Sequence, residues 1–374
     1  MPKNAALHEA KRARKDEFYT QYVDIEKEMN AYLEYNPYVF KDKIVLLPCD
    51  DPEWSNFTKY FAQNFETLGL KKLISTSYAA NSKPSEIPYQ LTLFETDSPK
   101  YNKKKTRAHG KIFVLENDSN NDNRIDINDL QWDYLKGDGD FRSNEIKKLR
   151  DEADIIVTNP PFSLFREFLS WITEAGKKFS IIGNINAVSN KEMFPLIMRN
   201  EIWLGSSISS GDREFAVPDS YPLEAAGWRV DEKGQKYIRV KGVRWYTNID
   251  HGRHHRPIPL MTMDDNLRFS KHKELKEKGY QKYVNYDAIE VPYSDSIPSD
   301  YAGLMGVPVT FLDKFCPEQF EIIGESLILA NPIKEFIEED ADYSKGGPAF
   351  YLKIDDKKYK RMYDRVVIKH KEPK

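Results

Sequence analysis

The apolar run Asp154-Ile-Ile-Val-Thr158, closed by Asn159-Pro160-Pro161-Phe162, restricts this chain more than any other feature. A short stretch that does not alternate apolar with polar residues reads as a strand covered on both faces, as in a parallel sheet. Leu164, Phe165, Phe168, Leu169 and Ile172 then recur at helical spacing, Gly176 supplies a stop, and Phe179-Ser-Ile-Ile-Gly183 reads as the next strand. Strand, loop, helix and strand within about thirty residues make one βαβ unit. A second unit precedes it. Lys43-Ile-Val-Leu-Leu-Pro-Cys49 is its first strand, and Asp51-Pro52 offers a cap and a first helical residue. Trp54, Phe57, Phe61, Phe65 and Leu68 give the helical stripe, Gly69 ends it, and Lys72-Leu-Ile-Ser-Thr-Ser77 is the second strand. Two such units predict a doubly wound α/β sheet, whose ligands sit at the carboxyl ends of its strands.

The remainder is less regular. Tyr89–Phe94 and Lys111–Leu115 flank a basic loop, Lys103-Lys104-Lys105, and read as an inserted hairpin within 88–116. Beyond about residue 205 short β-like pieces such as Tyr237–Val240 take over. With 374 residues, one large or two ordinary domains can each bury a core. The formal net charge of −3 argues against wholesale coating of nucleic acid, yet it allows a local basic cleft. No apolar run approaches the ~18 residues that would cross a bilayer, and the polar start MPKNAALHEAKRARK lacks a signal-peptide stretch. Cys49 and Cys316 cannot build a disulfide framework or a Cys-based zinc site, which fits a reducing compartment, so a cytoplasmic protein is expected.

The chemistry concentrates in Asn159-Pro160-Pro161-Phe162. An exocyclic amine on a nucleobase is a poor nucleophile because its lone pair is delocalised into the ring. The Asn carboxamide oxygen and the next backbone carbonyl can accept both amine hydrogens, which localises that pair toward an electrophilic methyl group. The two prolines hold these acceptors rigid, and Phe162 offers a face on which an extruded base can stack, worth ~1–3 kcal/mol. The plainer alternative is a polar turn in which Asn159 caps the following helix.

Three other features carry weaker signals. Asp118 to Asp129 is spaced like a calcium loop, but its sixth position is Asn123 where Gly is needed and its twelfth is Asp129 instead of Glu. His251, His254 and His255 fall within five residues without a Cys among them. With Arg253 and Arg256 they read as a cationic loop for phosphate, the alternative being an exposed turn. Lys3, Lys11, Arg12, Arg14 and Lys15 form a basic arm that either contacts DNA or is simply solvated. No metal is expected.

The sequence resembles the EcoRI-type adenine-N6 DNA methyltransferases, the modification methylases. Besides Asn159–Phe162, the resemblance rests on four segments in one order. These are Asp16-Glu-Phe-Tyr-Thr-Gln-Tyr22, Cys49-Asp-Asp-Pro52 with Ser55-Asn-Phe57, Gly137-Asp-Gly-Asp-Phe-Arg-Ser143, and Gly306-Val-Pro-Val-Thr-Phe-Leu-Asp313. It implies a Rossmann-like S-adenosylmethionine-dependent methyltransferase core with a doubly wound sheet over 1–250, and a smaller C-terminal domain, 251–374, for DNA target recognition. It also implies methyl transfer from S-adenosylmethionine to the N6 of a flipped-out adenine in double-stranded DNA, catalysed through Asn159, Pro160, Pro161 and Phe162.

Carried over position by position, Phe18, Tyr19 and Thr20 lie against the methionine part of the cofactor, or else open a helix continued by Tyr22, Ile25 and Met29. Cys49, Asp50 and Asp51 occupy the cofactor turn without its usual glycines; Asp50 suits a ribose or amino group, while Asp51 also suits a helix cap. Ser75-Thr76-Ser77 lacks the carboxylate that commonly ends the second strand, leaving the ribose contact unassigned. Asp138 or Asp140 would hold the cofactor's adenine amine with Phe141 stacking nearby. Arg244, His251, Arg253 and Arg256 are the candidates for DNA contact. The setting is restriction–modification, with a cognate endonuclease that forms no stable complex, or an orphan methylase; oligomeric state stays open, with a monomer compatible. Competing readings are methylation of an RNA base or a protein glutamine, and a non-catalytic DNA-binding relative.

Overall fold

The computed structural model describes residues 20–49, 55–79, 100–122, 124–209, 212–217 and 227–372. Contacts divide the chain into two compact units, bounded by Met1–Ala187 with Leu204–His251 and by Val188–Trp203 with Gly252–Lys374.

The first unit is mixed α/β. Helix α1 (Tyr22–Tyr35) buries Ile25, Met29 and Tyr32, which share one face at helical spacing. Next come β1 (Ile44–Pro48), α2 (Asn56–Gln63), β2 (Lys72–Ser77), β3 (Lys111–Leu115), β4 (Gln131–Tyr134) and α3 (Asn144–Glu152). After them are β5 (Ile155–Thr158), α4 (Phe165–Thr173), β6 (Lys178–Asn184), β7 (Trp203–Leu204), β8 (Asp212–Val217), β9 (Trp228–Val230), β10 (Lys236–Lys241) and β11 (Val243–Thr247). One eight-stranded sheet runs in the order β4-β3-β2-β1-β5-β6-β11-β7. Its centre, β2-β1-β5-β6, is parallel, while β3, β4 and β11 pair antiparallel. All four residues of β5 are buried, which is why that strand shows an apolar run and no alternation. Helix α4 buries Phe165, Phe168, Leu169, Trp171 and Ile172, each worth ~1.5–3 kcal/mol relative to exposure.

The topology decides where a ligand can sit. From β1 the chain proceeds through α2 to β2 on one side, and from β5 through α4 to β6 on the other. Adjacent strands whose connections depart in opposite directions leave a crevice outside their carboxyl ends.

Local structure departs from expectation in three places. Helix α2 starts at Asn56 and not at Asp51-Pro52, because Ser55 Oγ accepts the N–H of Phe57 and serves as the cap. It pauses at Asn64, whose side chain bonds the carbonyl of Tyr60, before Phe65–Leu68 adds a last turn and Gly69 ends it at φ +64°. The three lysines expected in a loop instead belong to a short helix, Lys103–Ala108, because Asn102 Oδ1 accepts from the N–H groups of Lys104 and Lys105. Strand β3, expected in a hairpin, lies between β2 and β4; Tyr89–Phe94 is outside the described residues. The acidic loop turns its side chains on its own backbone: Asp129 Oδ1 accepts from Ser119 and Asn120 N–H, and Asp118 Oδ1 from Asn121. A separate three-stranded sheet, β8-β10-β9, packs Phe215, Val217 and Ile238 into the core of this unit.

The second unit holds β12 (Ile289–Glu290), β13 (Met305–Pro308), β14 (Phe320–Glu325), β15 (Asp342–Tyr343), β16 (Tyr351–Lys353), β17 (Lys358–Arg361) and β18 (Arg365–His370). They form two sheets, β12-β13-β18-β14 and β15-β17-β16. Arg365 forks onto Glu290 at 2.7 and 3.0 Å inside this unit, and Tyr283 OH donates to the same carboxylate. Fully satisfied, such a buried group fixes its strands in register; half satisfied, it would be costly.

Candidate active site

Strand β5 delivers Asn159 to the carboxyl edge of the sheet. The strand's last residue, Thr158, is buried, and its Oγ1 donates to the carbonyl of Pro48 at the end of β1 at 2.6 Å. The ends of β1 and β5 are thereby held side by side. Asn159 is half-buried with its Oδ1 shielded from solvent, Pro160 and Pro161 are buried, and Phe162 is partly exposed against the core. Pro161 leads into a 3-10 turn, Phe162–Leu164, which precedes α4, and neither element has a side-chain cap. Asn159 therefore does not cap the following helix, although its segment does form the turn between β5 and α4.

The turn after β1 is built without glycine. Cys49 adopts φ +72°, the left-handed region that glycine ordinarily supplies. Its Sγ is hydrogen-bonded at 3.5 Å to the hydroxyl of Tyr78, the residue that follows β2. Burial, then Cys49 and Asp140, push the Tyr78 phenol well above its ordinary pKa. The Gly137–Ser143 segment docks on the same edge. Ala79 N–H donates to the carbonyl of Asp138 at 2.7 Å. Gly139, at φ +86°, lies so close to the strand that a Cβ there would meet the carbonyl oxygen of Ser77 at 2.3 Å. The glycine thus serves close approach as well as the turn.

Three predicted segments are brought together: Cys49, the Asp138–Phe141 loop and Asn159. Within the loop the roles separate. Asp140 is forked by Arg142, which raises the guanidinium's pKa, whereas Asp138 accepts the N–H of Asp140 and stays beside the end of β2. Phe141 is fully buried, edge-on to Phe168 and Trp171, so in this structure its ring anchors the loop to α4. Thr20 is buried, and its carbonyl accepts from Asn56 Nδ2 at 2.7 Å at the start of α2. Phe18, Tyr19, Asp50 and Asp51 lie outside the described residues, as does the basic arm. Sequence reasoning missed Tyr78 because it looked for a carboxylate at the end of β2 and stopped at Ser77; the signal was a polar aromatic one position further on.

The site's composition suits a polar ligand. Thr20 Oγ1, Thr76 Oγ1 and Ser77 Oγ are buried without a hydrogen-bond partner among the described residues, a pattern that buried hydroxyls avoid unless something else satisfies them. Among the described residues there is no group of three or more His, Cys, Asp or Glu able to hold a metal ion.

The candidates for DNA contact separate by burial. Arg244 is buried in β11, its guanidinium donating to the carbonyls of Val243 and Ser209. His251 is buried in the first unit against Tyr32, with Nε2 3.1 Å from the carbonyl oxygen of Leu204. Both residues do structural work there. In the second unit Arg256 is exposed and Arg253 half-buried, while His254 stacks on Trp203 and His255 pairs with Glu318 at 2.7 Å.

An Asn-Pro-Pro-Phe segment held beside a second strand end, with polar groups around both, suits an enzyme that acts on a planar exocyclic amine. The family model for the adenine-specific methyltransferase EcoRI matches residues 6–371. The chain is 43% identical to the Type II methyltransferase M.EcoRI of Escherichia coli over 320 residues, spanning 86% of this chain and 89% of that protein. It is 34% identical to M.MpnI of Mycoplasma pneumoniae, with 98% of each chain covered. It is also 32% identical to M.MgeORF184P of Mycoplasma genitalium over 97% of this chain and 98% of that protein. No solved structure gives a significant match. This chain belongs to the EcoRI family of adenine-specific methyltransferases and is an adenine-specific DNA methyltransferase. Enzymes of this kind in general draw the methyl group from S-adenosylmethionine. No helix among the described residues is long and apolar enough to cross a membrane.

Proposed function

We propose that this enzyme methylates the N6 of an adenine flipped out of double-stranded DNA, and that the reaction takes place at the joined ends of β1 and β5. The observation that carries the reading is the Thr158–Pro48 bond, which sets the amine-gripping segment beside the turn that ends β1. We read the sheet as a Rossmann-like, doubly wound methyltransferase core, and the second unit as the target-recognition region.

In this reading Asn159 Oδ1 and the carbonyl oxygen of Pro160 accept the two hydrogens of the adenine amine. The amine nitrogen is thereby held near tetrahedral geometry and its lone pair is localised. Pro160 and Pro161 keep the two acceptors from drifting, so little reorganisation is left for the reaction itself. Phe162 stacks on the extruded base. S-adenosylmethionine, when bound, supplies the electrophilic methyl group. Thr20, Cys49 and Asp138 are the described residues we assign to holding it, together with Phe18, Tyr19, Asp50 and Asp51; Asp138 is preferred over Asp140, whose carboxylate is committed to Arg142. Phe141 positions the Asp138 loop. The orphaned hydroxyls of Thr20, Thr76 and Ser77 support a polar ligand at this edge. Arg253 and Arg256 are assigned to phosphate contact, and the setting is restriction–modification.

Transfer of a labelled methyl group to duplex DNA, compared with RNA and with a glutamine-bearing protein, tests the reading. Label confined to duplex DNA, and mapped to N6 of adenine at one sequence, is the expected result. Label on either other substrate, or none on DNA, refutes it.

A further inference from the structure

We propose that the short helix Lys103–Ala108 docks the phosphate backbone of the substrate duplex, with Lys103, Lys104 and Arg107 as the contacting cations. The inference rests on the reading of the β1/β5 edge as the place where duplex DNA is methylated, and adds to it a contact in the first unit. Residues 98–115 hold Lys100, Lys103, Lys104, Lys105, Arg107 and Lys111 and no Asp or Glu, in a chain whose acids outnumber its bases by 59 to 56. Lys103, Lys104, Lys105 and Arg107 are exposed, and none forms an ion pair among the described residues. Exposed cations on other elements are paired: Arg229 with Glu214, Arg268 with Asp264, Lys278 with Glu274.

These charges work against the helix that carries them. Three consecutive lysines occupy a first turn whose free backbone N–H groups already present positive charge, and Lys103 and Arg107 stand four residues apart with like charge. Tertiary contacts hold the helix instead. Asn102 Oδ1 caps it, Thr106 is buried with its Oγ1 2.7 Å from the Tyr134 hydroxyl, and Lys105 Nζ lies 5.8 Å from the centre of the Tyr134 ring. With Thr106 turned inward, Lys104 stands about 200° of helical turn away and points outward. A local preference overridden without a local gain marks a functional surface.

Position identifies the partner. Lys111, three residues after the helix, opens β3 and pairs with Ser77, the last residue of β2. The Gly110 N–H donates to the carbonyl of Gly137 at 2.9 Å, and a Cβ on Gly110 would meet the carbonyl oxygen of Ser77 at 2.5 Å. The helix is thereby fastened to the carboxyl edge of the sheet, beside the Asp138 loop. From β3 to β5 there are three strand spacings, about 14 Å in all. That is about four base steps of duplex, so the backbone flanking a flipped adenine reaches these cations while the base lies at Asn159.

Fluorescence anisotropy tests this, with the full-length chain titrated into a labelled duplex at saturating S-adenosylhomocysteine and several salt concentrations. The duplex carries the sequence to which methyl transfer maps. In Lys103→Gln/Lys104→Gln/Arg107→Gln the slope of log affinity against log salt should be shallower by roughly 2–3, and affinity at about 0.1 M salt lower by at least about tenfold. At saturating DNA its kcat should stay within about twofold of wild type, since a uniform binding contact moves KM alone. Its melting temperature should not fall, because the lost charges opposed the helix. Lys71→Gln/Lys72→Gln/Lys178→Gln removes three charges at the amino ends of β2 and β6 and should keep the wild-type slope. An unchanged slope in the first triple, an equal change in both triples, or a loss confined to kcat overturns the proposal. So does a lowered melting temperature accompanied by weaker S-adenosylhomocysteine binding, which would make the three residues structural. Failure of the wild type to bind or methylate duplex DNA at all is the separate result that removes the underlying reading and this proposal with it.

Discussion

Thr158 Oγ1 and the carbonyl oxygen of Pro48 meet at 2.6 Å across 110 residues of sequence. The paired register of β1 and β5 covers only Val45 with Ile155 and Leu46 with Ile156, so this side chain carries the pairing on to the strand tips. Thr158→Val keeps the shape, deletes the donor and leaves a buried carbonyl unmet, which should cost about 1–3 kcal/mol in chemical denaturation. Because the spacing of Asn159 from the turn at Cys49 depends on the same bond, kcat should also fall, by roughly tenfold for a small misplacement of reacting groups. Thr158→Ser should recover most of both. A valine variant with unaltered turnover would disconnect this bond from catalysis.

Asn159 is assigned one acceptor of a pair, and an acceptor aimed at charge that develops during reaction is worth far more to rate than to binding. Asn159→Ala should lower single-turnover methyl transfer by at least about 100-fold. Affinity for S-adenosylhomocysteine should stay within about twofold, and the melting temperature should be little changed, because no helix depends on this side chain for its cap. A rate loss explained wholly by weakened cofactor binding would move Asn159 out of the amine-gripping role.

Cys49 holds a conformation that costs an L-residue roughly 1–2 kcal/mol. Cys49→Gly removes that strain but adds entropy to the unfolded chain and loses the bond to Tyr78, so its stability should lie within about 1 kcal/mol of wild type. Cys49→Val, with a branched Cβ in the same left-handed position, should be at least about 2 kcal/mol less stable than the glycine variant. Urea midpoints for the two variants check the ordering, and a valine variant as stable as the glycine one would show that the turn has relaxed.

What was legible in the sequence followed how local the cause was. The βαβ units could be read because burial on both faces writes a continuous apolar run, as in β5, and a single buried face writes a helical stripe, as in α4. The Asn159 segment could be read because its chemistry lies in four consecutive residues. The cap of α2 was misjudged: Asp51-Pro52 satisfied the rule, but Ser55 makes the bond. Arg244 and His251 resembled DNA contacts by residue type, yet burial inside the first unit is a tertiary property that no window around them records. The contact of Tyr78 with Cys49 was hidden for the same reason, since only the folded sheet brings the two together.

Glu325, the last residue of β14, is buried, and this burial together with nearby Asp364 pushes its carboxyl up to about 7, against the partial relief of a hydrogen bond from Ser189. The folded chain therefore holds this proton more tightly than the unfolded chain, whose ordinary Glu value is 4.5. Below pH 4.5 both states are protonated and the group costs nothing. Between pH 4.5 and 7 the unfolded state ionises while the folded state does not, so stability falls as pH rises, and above 7 the loss is complete. Its size should be roughly 1–3 kcal/mol, allowing for solvent screening. Glu325→Gln keeps the polar shape and removes the ionisation, so its urea midpoint should change less than that of wild type between pH 5 and 8, and the two should converge at the acid end. Parallel midpoint curves over that range would mean that Glu325 ionises in the folded protein as readily as in the unfolded one.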